Sequence, residues 1–291
     1  RQHDRIDHRE HHDRSAEAEG QSEDGGEGVR RPGRRGSPRE ARVSFEDVPM
    51  FGGSGLQHIA DGGDPEADHG ARTPRFAPLV AEGGFHFAAV VAADLCGQQA
   101  DFQHRPRLNI ESFGIASRDY LLSAGFIPDE IRPAYESVCT AALERVGYCY
   151  ERAGTPHELR LHGDFHPGNV LVLNSVAHIV DFDDTRTGPA IQDLWMFLSG
   201  DRNEQTPQLA ELLAGYTEFR DFDAAELNLI EALRTLRIMH YAAWLARRWD
   251  DPAFAIAFPW FNGQRYWDEH VLALREQIAL MDEEPLAWEC V

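Results

Sequence analysis

The placement of the large aromatic residues constrains this chain most: all six Trp and all seven Tyr lie after residue 107. A folded core needs bulky apolar side chains to offset the conformational entropy lost on folding. The first 100 residues hold three Leu, at positions 56, 79 and 95, beside 15 of the 25 Gly. Their charges fall without helical or strand period, and Gly and Pro interrupt every candidate element. The expectation is that residues 1–107 are disordered or come from a mistranslated reading frame, with His3, His8, His11 and His12 in a solvated tail. Residues 108–291 are expected to form the folded domain.

The chain carries 28 basic and 49 acidic residues, a net charge of −21. Of these, 14 basic and 30 acidic residues follow position 107, so the acidity belongs to the aromatic-rich part. Nucleic acid and anionic membrane are therefore excluded as expected partners, since each selects a basic surface. Cys96, Cys139, Cys149 and Cys290 show no C-x-x-C or zinc spacing, which reads as reduced thiols in the cytoplasm. The most apolar run, Phe85 to Cys96, is too short to span a bilayer. A cytoplasmic monomer is the expectation. All 28 basic residues are Arg; the chain has no Lys.

Within the second part, the pattern predicts a helix from Pro133 to Arg152, with Pro in its first turn and Gly154 past its end. Short β-like runs follow at Glu158 to Leu161, Val170 to Leu173 and Ala177 to Val180, with a turn at Leu173-Asn174-Ser175 between the last two. Further helices are expected from near Ala190, from Asp223 to Arg248 and from Gln264 to Met281. Asp223 and Glu226 form an acidic capping-box pattern, and Leu227, Ile230, Leu233, Leu236 and Ile238 make an apolar side.

Between the first two β-like runs lies His162-Gly163-Asp164-Phe165-His166-Pro167-Gly168-Asn169, and after the third comes Asp181-Phe182-Asp183-Asp184. A loop, a hairpin and a second loop bring Asp164, Asn169 and Asp181 to one end of that hairpin. Phosphoryl transfer needs a carboxylate for the acceptor hydroxyl's proton and oxygen ligands for Mg²⁺ on the phosphates. Asp164 suits the first role; Asn169 and Asp181 suit the second, and Asp181 counts as catalytic through its metal. Asp183 reads as a loop-stabilising acceptor, with a secondary metal contact as the alternative, and His162 and His166 read as scaffold rather than metal ligands.

The segment resembles the catalytic loop and metal motif of the aminoglycoside phosphotransferase and choline kinase-like superfamily, in which H-G-D-x-H-x-x-N replaces the H-R-D-x-x-x-x-N of protein kinases. Gly188 to Met196, Tyr241 to Trp249, Asp251 to Phe254 and Phe258-Pro259-Trp260 are similar to the bacterial stress-response serine/threonine kinases of that superfamily. The likeness covers about residue 104 to the end. It implies an α+β, protein kinase-like fold: a mainly helical C-terminal lobe with a small β-hairpin, the N-terminal lobe being absent or disordered. It also implies ATP as co-substrate, Mg²⁺ as cofactor, Ser or Thr of a protein as acceptor, and Asp193 as a brace for the catalytic loop through backbone amides. Gly163, in place of Arg, removes the grip on a phosphorylated activation loop.

That family has a phosphate-covering glycine loop and a strand lysine, whereas this chain offers no Lys. Phe51 to Gly55 is a weak substitute without the strand context. Two alternatives therefore accompany the protein-kinase reading: a small-molecule kinase of aminoglycoside or choline type, and a non-catalytic, truncated pseudokinase-like binding module. A dinuclear metallophosphatase reading of Gly163 to His166 lacks the further ligand blocks downstream. Arg247, Arg248, Trp244 and Trp249 read as core and rim packing, with substrate contact as the alternative.

Overall fold

The computed structural model describes residues 104–173 and 176–288. Residues 1–103, which carry most of the segment expected to be disordered and the Phe51 to Gly55 loop, lie outside the described residues, as does the centre of the turn at residues 174 and 175. All described residues belong to one compact unit.

The described chain enters on Leu108, whose amide donates to the Thr187 carbonyl at 2.8 Å and whose side chain is buried. A wide helical turn, Ile110–Ile115, is capped by Asn109, whose side chain accepts from the Ser112 amide, and runs into α1 (Ala116–Ala124). Helix α2 (Arg132–Ala153) has Pro133 in its first turn and ends at Gly154, with φ +73°. It buries Tyr135, Val138, Cys139, Ala142, Val146, Cys149 and Ala153 at three- and four-residue spacing, the mark of one apolar face.

Four short strands follow: β1 (Leu159–Leu161), β2 (Val170–Leu173), β3 (Val176–Ile179) and β4 (Arg186–Gly188). The expected hairpin is β2–β3, antiparallel, with Val170 opposite Ile179 and Leu173 opposite Val176. The structure adds a second antiparallel pair. β1 takes β4 as its partner, with Leu159 opposite Gly188 and Leu161 opposite Arg186. Two small sheets thus stand at the roots of the two polar loops: one clamps their outer ends, and the other joins their inner ends.

Helices complete the lobe: α3 (Gln192–Trp195), α4 (Arg202–Thr217), α5 (Ile230–Arg248), α6 (Pro252–Ala257) and α7 (Gln264–Met281). The helix expected near Ala190 is a single turn beginning at Gln192. The capping box expected at Asp223 does not form. Asp223 accepts from the Ala225 amide, but Glu226 is buried and accepts from the distant Ile191 amide at 3.0 Å, and the first turn, Ala224–Leu229, is 3₁₀. A reciprocal capping box stands instead at α4: Asp201 accepts from Asn203 and Glu204 amides, while Glu204 accepts from the Asp201 amide at 2.8 Å.

α5 ties the core together. Ile230, Leu233 and Leu236 pack with Leu194, Leu209 and Leu212, whereas Ile238, Met239, Ala242 and Leu245 pack with Tyr135, Phe261 and Trp267. Its N-terminal half therefore joins a cluster with residues of α3 and α4, and its C-terminal half a cluster with residues of α2 and α7. Among the described residues, no helix is long and apolar enough to cross a membrane.

Candidate active site

Residues 162–169 pass from β1 to β2, and every turn of that passage is held. Gly163 has φ +85°, and a Cβ there would collide with the Asp184 carbonyl oxygen and lie 2.9 Å from Arg186 Nε. No other residue type fits without moving β4. The His162 and Gly163 amides donate to Asp193 Oδ2 and Oδ1 at 2.7 and 2.9 Å, so one carboxylate at the start of α3 fixes the bend through backbone amides. Gln192 Nε2 donates to the Gly163 carbonyl at 3.1 Å, and Trp195 Nε1 donates to Gln192 Oε1 at 3.1 Å. The Gln192 to Trp195 motif is thus a bracket, with Gln192 and Asp193 gripping the loop and Trp195 holding Gln192. Arg234 of α5 lies over the Trp195 ring, 5.2 Å from its centre, and pairs with Glu231 at 2.9 Å.

His162 sits behind the loop. Its Nε2 lies 2.9 Å from the Val180 carbonyl, and the Asp164 amide approaches its Nδ1 at 3.4 Å. Burial lowers its pKa, so the neutral ring donates from Nε2 and ties the loop to the end of β3. His166 caps the 3₁₀ turn Pro167–Asn169, its Nδ1 accepting from the Gly168 amide at 3.0 Å. Its Nε2 faces Asp164 Oδ2 at 3.5 Å. Both histidines are scaffold, and among the described residues no three His, Cys, Asp or Glu side chains are grouped to hold a metal.

Asp164 is 5% exposed, and its Oδ1 lies 2.6 Å from the Arg237 guanidinium of α5. Burial alone would raise this carboxyl's pKa, but Arg237 and His166 together outweigh it and hold Asp164 well below the usual carboxylate range. The group is an ionised hydrogen-bond acceptor. Asn169 Nδ2 donates to the Asp164 carbonyl at 2.9 Å, which commits the amide nitrogen and leaves Oδ1 as an oxygen donor. The Asn169 carbonyl accepts from the Val180 amide at 3.1 Å, so Asp181, the next residue, emerges beside Asn169. The structure therefore brings Asp164, Asn169 and Asp181 to one end of the β2–β3 hairpin.

Asp181 is exposed, and it is the one described non-glycine residue with positive φ, at φ 66° and ψ 61°. Asp184 pairs with Arg186 at 2.6 Å, and Arg186 lies 4.7 Å from the Phe113 ring centre. An amide oxygen and one carboxylate fit a hard divalent cation that keeps water and phosphate oxygens in its other positions. Asp183 is exposed, and the Arg105 guanidinium donates to its backbone carbonyl at 2.8 Å.

Sequence reasoning missed Arg237, Arg186 and the reach of Gln192. The legible signal for Arg237 was a charge set between Leu236 and Ile238, three residues after Arg234 on the same helix.

The family profile described as the phosphotransferase enzyme family matches residues 52–230, more than half of the chain. The chain belongs to the phosphotransferase enzyme family. Among curated proteins, stress response kinase A of Escherichia coli O157:H7 is 42% identical over 190 residues, which is 65% of this chain and 57% of that protein. A serine/threonine protein kinase, RdoA, of Salmonella typhimurium strain LT2 is 40% identical over the same shares. This chain thus spans 57% of the length of the curated relatives it matches. A spectinomycin phosphotransferase crystallised with ADP and spectinomycin superposes with a TM-score of 0.47 at 16% identity, over 71% of this chain and 69% of that one. The family match reaches back across residues 52–103, which lie outside the described residues.

Proposed function

We propose that this phosphotransferase-family chain carries the catalytic lobe, residues 108–291, of an ATP- and Mg²⁺-dependent protein kinase that phosphorylates Ser or Thr in a bacterial stress response. The observation that carries the reading is the convergence of three residues at the hairpin end: Asp164 buried and ionised, Asn169 with its Nδ2 committed to the Asp164 carbonyl, and Asp181 following Val180, whose amide donates to the Asn169 carbonyl. The family match supports phosphoryl transfer, and the identity to the serine/threonine protein kinase RdoA supports the acceptor class.

In this reading, Asp164 accepts the hydrogen bond of the acceptor hydroxyl and orients its oxygen toward the γ-phosphorus. The new bond forms from that oxygen as the bond to the β-phosphate oxygen breaks. The hydroxyl proton goes to the Asp164 carboxylate and then to solvent, and ADP leaves. Because Arg237 disfavours protonation of Asp164, orientation outweighs proton removal in its contribution. Asn169 and Asp181 would hold Mg²⁺, which neutralises charge on the phosphates when bound.

The test is phosphate transfer from labelled ATP to a mixed protein substrate, scored as phosphoserine and phosphothreonine. Asp164→Asn should lower kcat by at least ~10²; near-normal turnover would sink the assignment. Transfer to an aminoglycoside or choline, with none to protein, would replace the acceptor class. One observation favours a second reading, a non-catalytic binding module: none of the 291 residues is a Lys that could grip the nucleotide's phosphates. A melting temperature unmoved by Mg·ATP at millimolar concentration would select that module.

A further inference from the structure

We infer that one stripe of α5, from Arg237 through Tyr241 and Trp244 to Arg248, is the acceptor-docking surface, and that it takes an extended polypeptide segment with acidic side chains near its Ser or Thr. The inference rests on the protein-kinase reading above and adds the recognition chemistry.

The four residues stand at spacings of four, three and four, which puts them on one side of a helix. The stripe begins at the candidate catalytic carboxylate, since Arg237 meets Asp164 Oδ1 at 2.6 Å. Its middle is an aromatic floor. Tyr241 and Trp244 lie nearly parallel, 5.8 Å apart at 12°, and Phe254 of α6 leans on Trp244 at 5.2 Å. Both rings are half-buried, which suits them to carry a peptide backbone laid across them. The far end is cationic: the exposed Arg248 stacks 4.3 Å over Trp244, and neighbouring Arg247 stacks 4.7 Å over Tyr120.

Neither Arg247 nor Arg248 forms an ion pair with a carboxylate among the described residues; their guanidinium groups donate to the Ala116 and Trp244 carbonyls. The nearby acid Asp251 is turned to its own helix, accepting from the Ala253 amide at 2.9 Å. Burial, followed by the charges of Arg186, Arg247, Arg237 and Arg248, holds His240 down to about 3; with Arg186 and Arg237 paired to Asp184 and Asp164, the charge beside it that has no carboxylate partner among the described residues is that of Arg247 and Arg248. Beyond residue 107 the chain has 14 basic against 30 acidic residues. An acidic segment is therefore repelled elsewhere and retained here, which gives selectivity by sign of charge.

Helix rise sets the spacing of the charges. From Arg237 to Arg248 is about 16 Å along the axis, the span of about five extended residues. One acidic side chain next to the acceptor residue would meet the part of Arg237 that stays accessible, while Arg237 keeps its contact with Asp164. A second, about five positions away, would meet Arg248.

The experiment is fluorescence anisotropy with the full 291-residue chain and labelled serine peptides that carry Glu, Gln or Lys at positions 1 and 6 on either side of the Ser. The Glu peptide of one polarity should bind about five- to tenfold tighter than its Lys counterpart. Arg248→Glu should remove that preference, while Arg275→Glu, an equal charge change on an exposed face of α7, should leave it within about twofold. Unchanged circular dichroism and melting temperature show that the Arg248 variant is folded. Charge-blind binding, no binding of any peptide, or a preference that survives Arg248→Glu overturns the inference. Phosphate transfer from ATP is scored separately. Transfer with charge-blind binding removes the docking surface and keeps the kinase; charge-selective binding without transfer does the reverse.

Discussion

The two loops that meet at the hairpin end are built in opposite ways. The loop from His162 to Asn169 is buried along most of its length, and its amides and carbonyls are held by Asp193, Gln192, His166 and Asn169. The loop from Asp181 to Asp184 is exposed, begins in left-handed backbone and lacks a side-chain cap on its 3₁₀ turn. In the proposed reaction, an acceptor oxygen must be aimed to within a fraction of an ångström, which calls for a pre-set carboxylate. A cation brought in with a nucleotide supplies its own ordering energy, so its protein ligand can stay accessible until it arrives. Rigidity stands where the protein must aim, and exposure where a ligand completes the site.

If that contrast is right, breaking the bracket should cost far more stability than altering the exposed loop. Asp193→Ala leaves the His162 and Gly163 amides buried without acceptors and should destabilise the protein by roughly 2–5 kcal/mol. Urea denaturation measures this, and a loss below about 1 kcal/mol would mean that the bend holds itself.

A pH series sharpens the same contrast at a second brace. Burial pushes Asp193 and Glu226 each up to about 7, so the folded state holds their protons more tightly than the unfolded chain does. Their contribution to stability is fully present below their ordinary carboxyl values and is lost as pH rises toward and through about 7. Asp164 works in the opposite sense: its contribution is present above the ordinary Asp value and lost in acid. Urea midpoints should therefore fall from mildly acidic pH to pH 8, and Glu226→Gln, which keeps an acceptor for the Ile191 amide, should flatten that fall. An unchanged slope would count against an uncompensated Glu226 charge.

The smallest stability effect belongs to the exposed loop. Asp181→Gly relieves left-handed strain and should leave stability unchanged or raise it by up to about 1 kcal/mol. It should nonetheless abolish Mg²⁺-dependent transfer. A clear loss of stability would show that Asp181 is structural, contrary to its exposed position.

Much of this lobe was legible from local pattern. Helix α7 carries its apolar residues at regular spacing, and α2 has Pro133 and Gly154 at its ends, so propensity and packing agree there. The loops could be placed because both flank a hairpin whose β-branched runs are short and unambiguous. What failed was non-local. Glu226 looks like a capping residue until the Ile191 amide, 35 positions away, claims its carboxylate. β4 is three residues long with no strand signal of its own and exists because β1 needs a partner. Helix α4 was hidden by Pro207, although Asp201 and Glu204 announced its start. Arg237 reaches Asp164 across 73 positions, a pairing that no local period reveals.

Arg234 and Arg237 leave α5 less than one turn apart, and they serve two consecutive residues of the same loop. One steadies Trp195 and, through Gln192, the carbonyl of Gly163; the other touches Asp164. The helix therefore acts as a common datum for the loop's backbone and for its reactive group. Each residue of an α-helix turns the chain by about 100°. A one-residue insertion or deletion between positions 234 and 237 would leave the loop braced while its carboxylate faced a different side chain. The length of this stretch, as much as its composition, is what selection would have to guard.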